Sequence, residues 1–384
     1  MDTTLSAYLT AQFYAWEQRG RGWELFEQPI HLESDFIPFI GHHLPEAPAQ
    51  IDDGKRLRFF PGIQEALGLF KVPKGVTYGE QAYQELHELY PIRAFPFEET
   101  EPPFEFQINF GPDTRIVFEN IEQLLLMLAS SEHIAGFELF GTKDSITVQF
   151  VSTASNASHF TTYIEAYAPG VIIRRERLNL VDSVGVGKYA KVTDLALKDE
   201  FMRPLRVWTK FEPDPLTGCI ATLESLGTGE FGMLQILFQS TINPWVQSIY
   251  RSVTDGEGSS FFADAPDMVK LAAEKTTSPL FAVVVRTVGE GPTVDRATEI
   301  SEQLAHSLIA FHRTVSNSLT PLAGPPSCGG PEDILYRRSR RVGMLLNSSE
   351  LASMVHIPDK SVVSPKLRAY TGKTKQAPSN VSGY

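Results

Sequence analysis

The sequence predicts an α+β fold made of two related units, on three observations. Residues 104–110 and 146–150 alternate apolar and polar side chains with period two, the mark of strands with one buried face. Residues 119–130 and 156–167 repeat apolar residues at helical spacing. A second run of strand and helix patterns then spans about 205–315 in a similar order.

In the first run, Phe104, Phe106, Ile108 and Phe110 share one face, with Glu105, Gln107 and Asn109 opposite. Gly111-Pro112-Asp113 breaks the strand. Ile121, Leu124, Leu125 and Leu128 form a helical stripe. Residues 134–140, the turn at Gly141-Thr142-Lys143-Asp144, and Ile146, Val148 and Phe150 read as a hairpin. Phe160, Tyr163, Ile164 and Tyr167 mark a second helix, and 171–175 the closing strand. Strand, helix, hairpin, helix, strand is the ferredoxin-like order, with two helices on one face of an antiparallel sheet.

The second run reads as an elaborated βαββαβ-related copy. Residues 205–211 are its expected first strand. Asp214-Pro215 opens a helix by an N-cap with proline at the first position. Strands follow at 231–241 and 280–288, and a long helix at about 293–315. Between those strands, Asn243-Pro244 opens a helix and another covers about 265–275, an insertion where the first unit has a tight turn. The domain reading is an extended and helical N-terminal segment (1–100) packing on the rest, a ferredoxin-like unit (101–180), an elaborated α/β unit (190–330), and a basic connector (331–384). Tandem ferredoxin-like units, with antiparallel sheets and helices on one face, are therefore expected.

The chain carries a net charge of −12 over 384 residues. Residues 331–384 hold nine Lys and Arg against four Asp and Glu; the remaining 25 basic and 42 acidic residues leave −17 on the body. Such a body repels phosphates, so direct nucleic-acid contact is not expected. The basic cluster Arg337, Arg338, Arg340 and Arg341 is the candidate interaction site. Two cysteines, Cys219 and Cys328, and the lack of a secretory pattern after Met1 suit a reducing, cytoplasmic setting. Peripheral attachment at the inner face of a membrane stays open.

Several motifs fail on context. Gly227-Thr228-Gly229-Glu230-Phe231-Gly232 has dinucleotide-loop spacing but follows a helix and opens a strand, the reverse of what pyrophosphate binding needs. Gly372-Lys373-Thr374 lacks the upstream glycine, since position 367 is leucine. Gly185-Val186-Gly187-Lys188 is followed by Tyr189 rather than serine or threonine. Neighbouring His42-His43 point apart on an extended chain, and His87-Glu88 lacks a second histidine at helical spacing. His159, His306 and His312 read as surface or packing residues on helices. Catalytic, cofactor and metal residues are accordingly read as none.

The stretch from 334 to 378 includes Tyr336-Arg337-Arg338-Ser339-Arg340-Arg341-Val342-Gly343-Met344-Leu345-Leu346-Asn347, then Ser364-Pro365-Lys366 and Gln376-Ala377-Pro378. It resembles the segment preceding the motor domain in type IV secretion and conjugative-transfer ATPases of the HerA–FtsK superclass. Trp16-Glu17 with Gly22-Trp23, Glu200-Phe201-Met202-Arg203-Pro204-Leu205, Asn243-Pro244-Trp245, and Lys275 with Pro279-Leu280-Phe281-Ala282 look similar too. The resemblance implies a non-catalytic N-terminal scaffold or docking module, whose partners are its own motor domain, neighbouring subunits in a hexameric ring, and other secretion or defence components. ATP and Mg would bind only in a motor domain not contained in these 384 residues. Locally, Asn347 and Glu350 have capping-box spacing and Pro358 stops the short helix. Two alternatives stay open: a standalone adaptor of a mobile-element or phage-defence system, and an enzyme with a site at the unit junction.

Overall fold

The computed structural model describes residues 3–39, 91–97, 101–110, 117–128, 133–168, 170–176, 179–210, 212–255, 257–358, 362 and 364–367. The expectations for His42, His43, His87, the 111–113 break and the 372–378 tail lie outside these residues. The chain is α+β, with antiparallel strands throughout its named sheets.

Strands β2 (Pro103–Phe110), β3 (Ala135–Gly141), β4 (Ile146–Thr153) and β5 (Val171–Glu176) form the first half. Helices α2 (Phe118–Leu128) and α3 (Ala157–Tyr167) follow β2 and β4. An earlier helix, α1 (Thr3–Glu17), and strand β1 (Leu25–Ile30) precede them. The second half contains β6 (Tyr189–Leu197), α4 (Thr217–Glu224), β7 (Phe231–Ser240), β8 (Leu280–Gly291), α7 (Val294–His312) and β9 (Leu319–Pro321). Helices α5 (Trp245–Val253) and α6 (Met268–Lys275) lie between β7 and β8, where the insertion is expected.

One sheet runs β5-β2-β4-β3-β7-β8-β6-β9. The halves therefore share a continuous sheet, joined where β3 pairs antiparallel with β7 from Ala135↔Phe238 to Gly141↔Gly232. Counted from its outer edge, each half has its fourth strand first, then its first, third and second. The first strand of the second half is β6, not 205–211. That segment has a β-like composition, yet its amides are taken up singly: Leu205 N–H goes to Glu350 and Arg206 N–H to the His312 carbonyl. The expected cap also differs. Asp214 accepts from Leu216 N–H at 2.7 Å, and the helix starts at Thr217.

Helices α2, α3, α4 and α7 bury their stripes on one sheet face. Leu124, Leu125, Phe160, Ile164, Ile300 and Leu304 pack there with Phe106, Phe137, Val148, Phe150 and Ile236. This burial is the main favourable term in the fold. Strand β8 is buried over its full length, which explains its nearly unbroken apolar run. Where α7 crosses it, Gly289 is required: a Cβ there would sit 2.2 Å from the Ala297 carbonyl oxygen.

The other sheet face is buried as well, contrary to the half-buried reading of 104–110 and 146–150. Glu105, Gln107, Gln149, Glu138, Gln235 and Arg286 are all fully buried. Cross-strand register places Gln107, Gln149, Glu138, Gln235, Arg286 and Asp194 in one row across six strands. Its cover includes residues 322–343 and their helix α8 (Pro331–Leu335) and strand β10 (Ser339–Arg341), the latter paired with β1. Strand β11 (Met344–Asn347) then pairs with β8, and α9 (Ser348–Ala352) follows. Residues 331–358, expected as a connector, are thus built into the body.

Candidate functional site

The four arginines of the expected interaction cluster do not share a surface. Arg337 and Arg341 are buried; Arg338 and Arg340 are partly exposed. Burial is forced by charge on the sheet beneath. Arg337 donates to both oxygens of Glu138 at 2.8 Å and to Glu105 at 2.5 Å. Burial is the largest single effect on the Glu138 carboxyl and pushes it up, but the Arg337 guanidinium and the Gln149 and Gln235 amides together outweigh it and hold the carboxyl below the usual range. Arg341 faces Asp194 at 3.5 Å, and Arg340 pairs with Asp333 at 3.0 Å. Arg338 lies over the Tyr336 ring at 4.8 Å. What sequence reading missed is the acidic half of the Arg337 and Arg341 pairs, which comes from strands more than a hundred residues away.

A second constellation joins residues that lie far apart in the sequence. Glu17 accepts from Arg21 Nε and from the Phe201 amide, both at 2.8 Å. Trp16 packs on Phe201, Phe39 and Trp245 with ring centroids 5.3, 5.5 and 6.4 Å apart. Trp23 donates Nε1–H to the Leu197 carbonyl. Gly22 has φ +80° and meets the Met344 backbone, where a Cβ would lie 2.9 Å from nitrogen.

Lys275 and Glu350, both fully buried, pair at 2.6 Å. Glu350 also accepts from Leu205 N–H at 2.6 Å and Asn347 N–H at 2.8 Å. Asn347 completes the capping box by accepting from Glu350 N–H, and its Nδ2 donates to the Lys275 carbonyl. Burial lowers the Lys275 pKa, with Glu350 opposing the fall. Ser348 and Ser349 donate to Glu122 on α2, both at 2.6 Å, which ties α9 to the first half. Glu33, also unforeseen, accepts from Ile242 N–H, Asn243 N–H and Nδ2–H, and Trp245 Nε1–H. Asn243 thus serves Glu33 rather than capping α5.

Burial pushes the Glu17 carboxyl up to about 7, with Arg21 and the Phe201 amide pulling it back and Glu200 adding to the rise. The native state then holds its proton at pH values where the unfolded chain has released it. The Glu17 contribution to stability is therefore greatest below the ordinary 4.5 and falls as pH rises, levelling off above about 7. The total is about 3 kcal/mol. Glu17→Gln should remove this dependence: the urea midpoint should drift less between pH 5 and 8 than in the parent protein.

The motif-like loops close on internal acids. Gly185 and Gly187 N–H groups cradle the Glu290 carboxylate at 2.9 and 3.0 Å. Gly227 N–H goes to Glu230, which also pairs with Arg296 at 2.8 Å. The positions a phosphate would need are held by carboxylates.

His159 and His306 are exposed, whereas His312 is buried and burial pushes it down to about 4, with His356 adding to the fall. His356 Nε2 lies 3.0 Å from Asp214. Cys219 is buried and its thiol is pushed up to about 12, so it is a packing residue rather than a nucleophile. Among the described residues, no group of three or more His, Cys, Asp or Glu is placed to hold a metal ion. Among the same residues, no helix is long and apolar enough to cross a membrane. No protein-family model matches the sequence, and no curated protein matches it.

Proposed function

We propose that the chain is a non-catalytic scaffold or docking module of a conjugation-type, type IV secretion motor ATPase, built from two tandem ferredoxin-like units. The repeated strand order of the two halves supports the tandem reading. Such a fold hosts many functions, so the functional reading rests elsewhere.

One observation carries it. The resembling patches lie from about seventy to more than three hundred residues apart in sequence, yet they bond to one another. Residues 16–23 hold Phe201 and Met344; residue 205 reaches Glu350; Glu350 holds Lys275; and Ser348 N–H meets the Pro279 carbonyl. Trp245 closes the aromatic cluster with Trp16 and Phe201. A resemblance borne by one interlocked framework is what a shared scaffold requires. Its charged groups are spent on internal partners, which suits a rigid mount better than a reaction centre. The motor, neighbouring subunits and other secretion components are the partners this reading proposes.

The purified chain should neither retain a fluorescent ATP analogue nor release phosphate from ATP with Mg. Turnover by the chain alone, abolished by a substitution within it, would overturn this reading and favour an enzyme.

A further inference from the structure

Residues 322–343 leave the sheet at β9 and rejoin it at β11, crossing the polar face between. Their contacts with that face are mostly polar. Ser327 donates N–H and Oγ–H to Asp194, each at 2.6 Å. Arg286 donates to the carbonyls of Asp333 and Arg338 at 3.0 Å, and Gln235 to that of Ile334 at 3.1 Å. Arg337 reaches Glu138 and Glu105. The apolar share is small: Cys328, Ile334 and Leu335 against Phe140, Phe231, Met233 and Val288.

Opening such a contact differs from opening the helix-covered face. Groups of the polar row would regain hydration, and their solvation offsets most of the lost pairing. Baring the apolar face has no such compensation. The closed form also holds Arg337 at φ +55°, a left-handed conformation unfavourable for arginine. Gly324, at φ +98° with open space around it, lies at one end of the segment. Gly343, packed against the Val283 amide, lies at the other.

We propose that residues 322–343 are an ionic latch that opens locally, as a unit, from the polar face of an otherwise intact sheet. In the closed form the latch keeps Arg337 and Arg341 from solvent. In the open form Arg337 and Arg341 join the partly exposed Arg338 and Arg340 in solvent. The latch is independent of what the chain docks to.

The two cysteines serve as native reporters. Cys328 belongs to the latch and is buried with the sheet residues Phe140, Phe231, Met233 and Val288, and Cys219 lies on the helix-covered face, donating to the Leu304 carbonyl. The protein is exposed to N-ethylmaleimide at increasing urea and modification of each cysteine is read by peptide mass spectrometry. Local opening exposes a site with little dependence on denaturant, whereas global unfolding depends on it strongly. Cys328 should react at least tenfold faster than Cys219 without urea, and its rate should hardly change at low urea. Arg337→Met should speed Cys328 at least another tenfold without urea and leave its rate nearly independent of low urea. If Cys328 reacts only at urea concentrations where Cys219 does, the latch does not open locally and the proposal fails. A Cys328 rate unchanged by Arg337→Met would also overturn it.

Discussion

Glu350→Ala should destabilise the protein by about 3–5 kcal/mol, the scale for breaking a buried ion pair from one side. Three losses coincide at this residue. Lys275, fully buried, loses its counter-charge. The capping box of α9 loses its reciprocal bond to Asn347 N–H, a cap effect of about 1 kcal/mol. Leu205 N–H loses its acceptor. These losses share one carboxylate, so they do not simply add. Charge, rather than shape, should dominate: Glu350→Gln should recover only a small part. The double variant Lys275→Met with Glu350→Gln should recover more, because no buried charge is left alone. Urea midpoints of the three variants decide this. A Glu350→Ala shift within about 0.5 kcal/mol of zero, the range of ordinary surface substitutions, would show that the pair holds nothing together.

Glu33→Ala should cost a similar amount, about 3–4 kcal/mol. One carboxylate takes four donors, two backbone and two side-chain, at 2.8 to 3.1 Å. Hydrogen bonds to a charged group contribute about 1.5–3 kcal/mol each, and buried donors left without partners carry a penalty of their own. Mutual coupling keeps the total below the sum. The effect should be directional. Glu33 fixes the start of the β7–β8 insertion to the N-terminal segment, so Trp245 should loosen first. Hydrogen exchange along 241–253 should rise more in Glu33→Ala than along β8. Uniform acceleration would mean that Glu33 supports the whole fold rather than this junction.

How much of this was legible in the sequence depended on range. Asn347 and Glu350 form the capping box their spacing predicts, because both partners lie within one turn. The first half appears with its expected elements because each strand and helix there carries its own periodicity. The polar faces of β2 and β4 were misread for a physical reason. Alternation shows that Glu105 and Gln149 share a face with other polar groups. It does not show whether that face meets water or an arginine 232 residues away. The same limit hid Lys275 behind Glu350 and Trp245 behind Glu33. Residues 205–211 misled because local composition resembles a strand, while the amides of Leu205 and Arg206 go to α9 and the end of α7. The arginine cluster was visible as charge; its acidic partners were not, so its inward placement was not.

Docking to a motor is the central claim, and in-cell cross-linking tests it most directly. The protein at native abundance in its own cell would be cross-linked and its partners read by mass spectrometry. The account predicts links from the solvent-reaching residues Arg338, Arg340 and Lys366 to a P-loop ATPase segment, whether in the same polypeptide or a neighbouring subunit. Abundant cross-links that reach other proteins but never a P-loop segment would contradict it and favour a standalone adaptor.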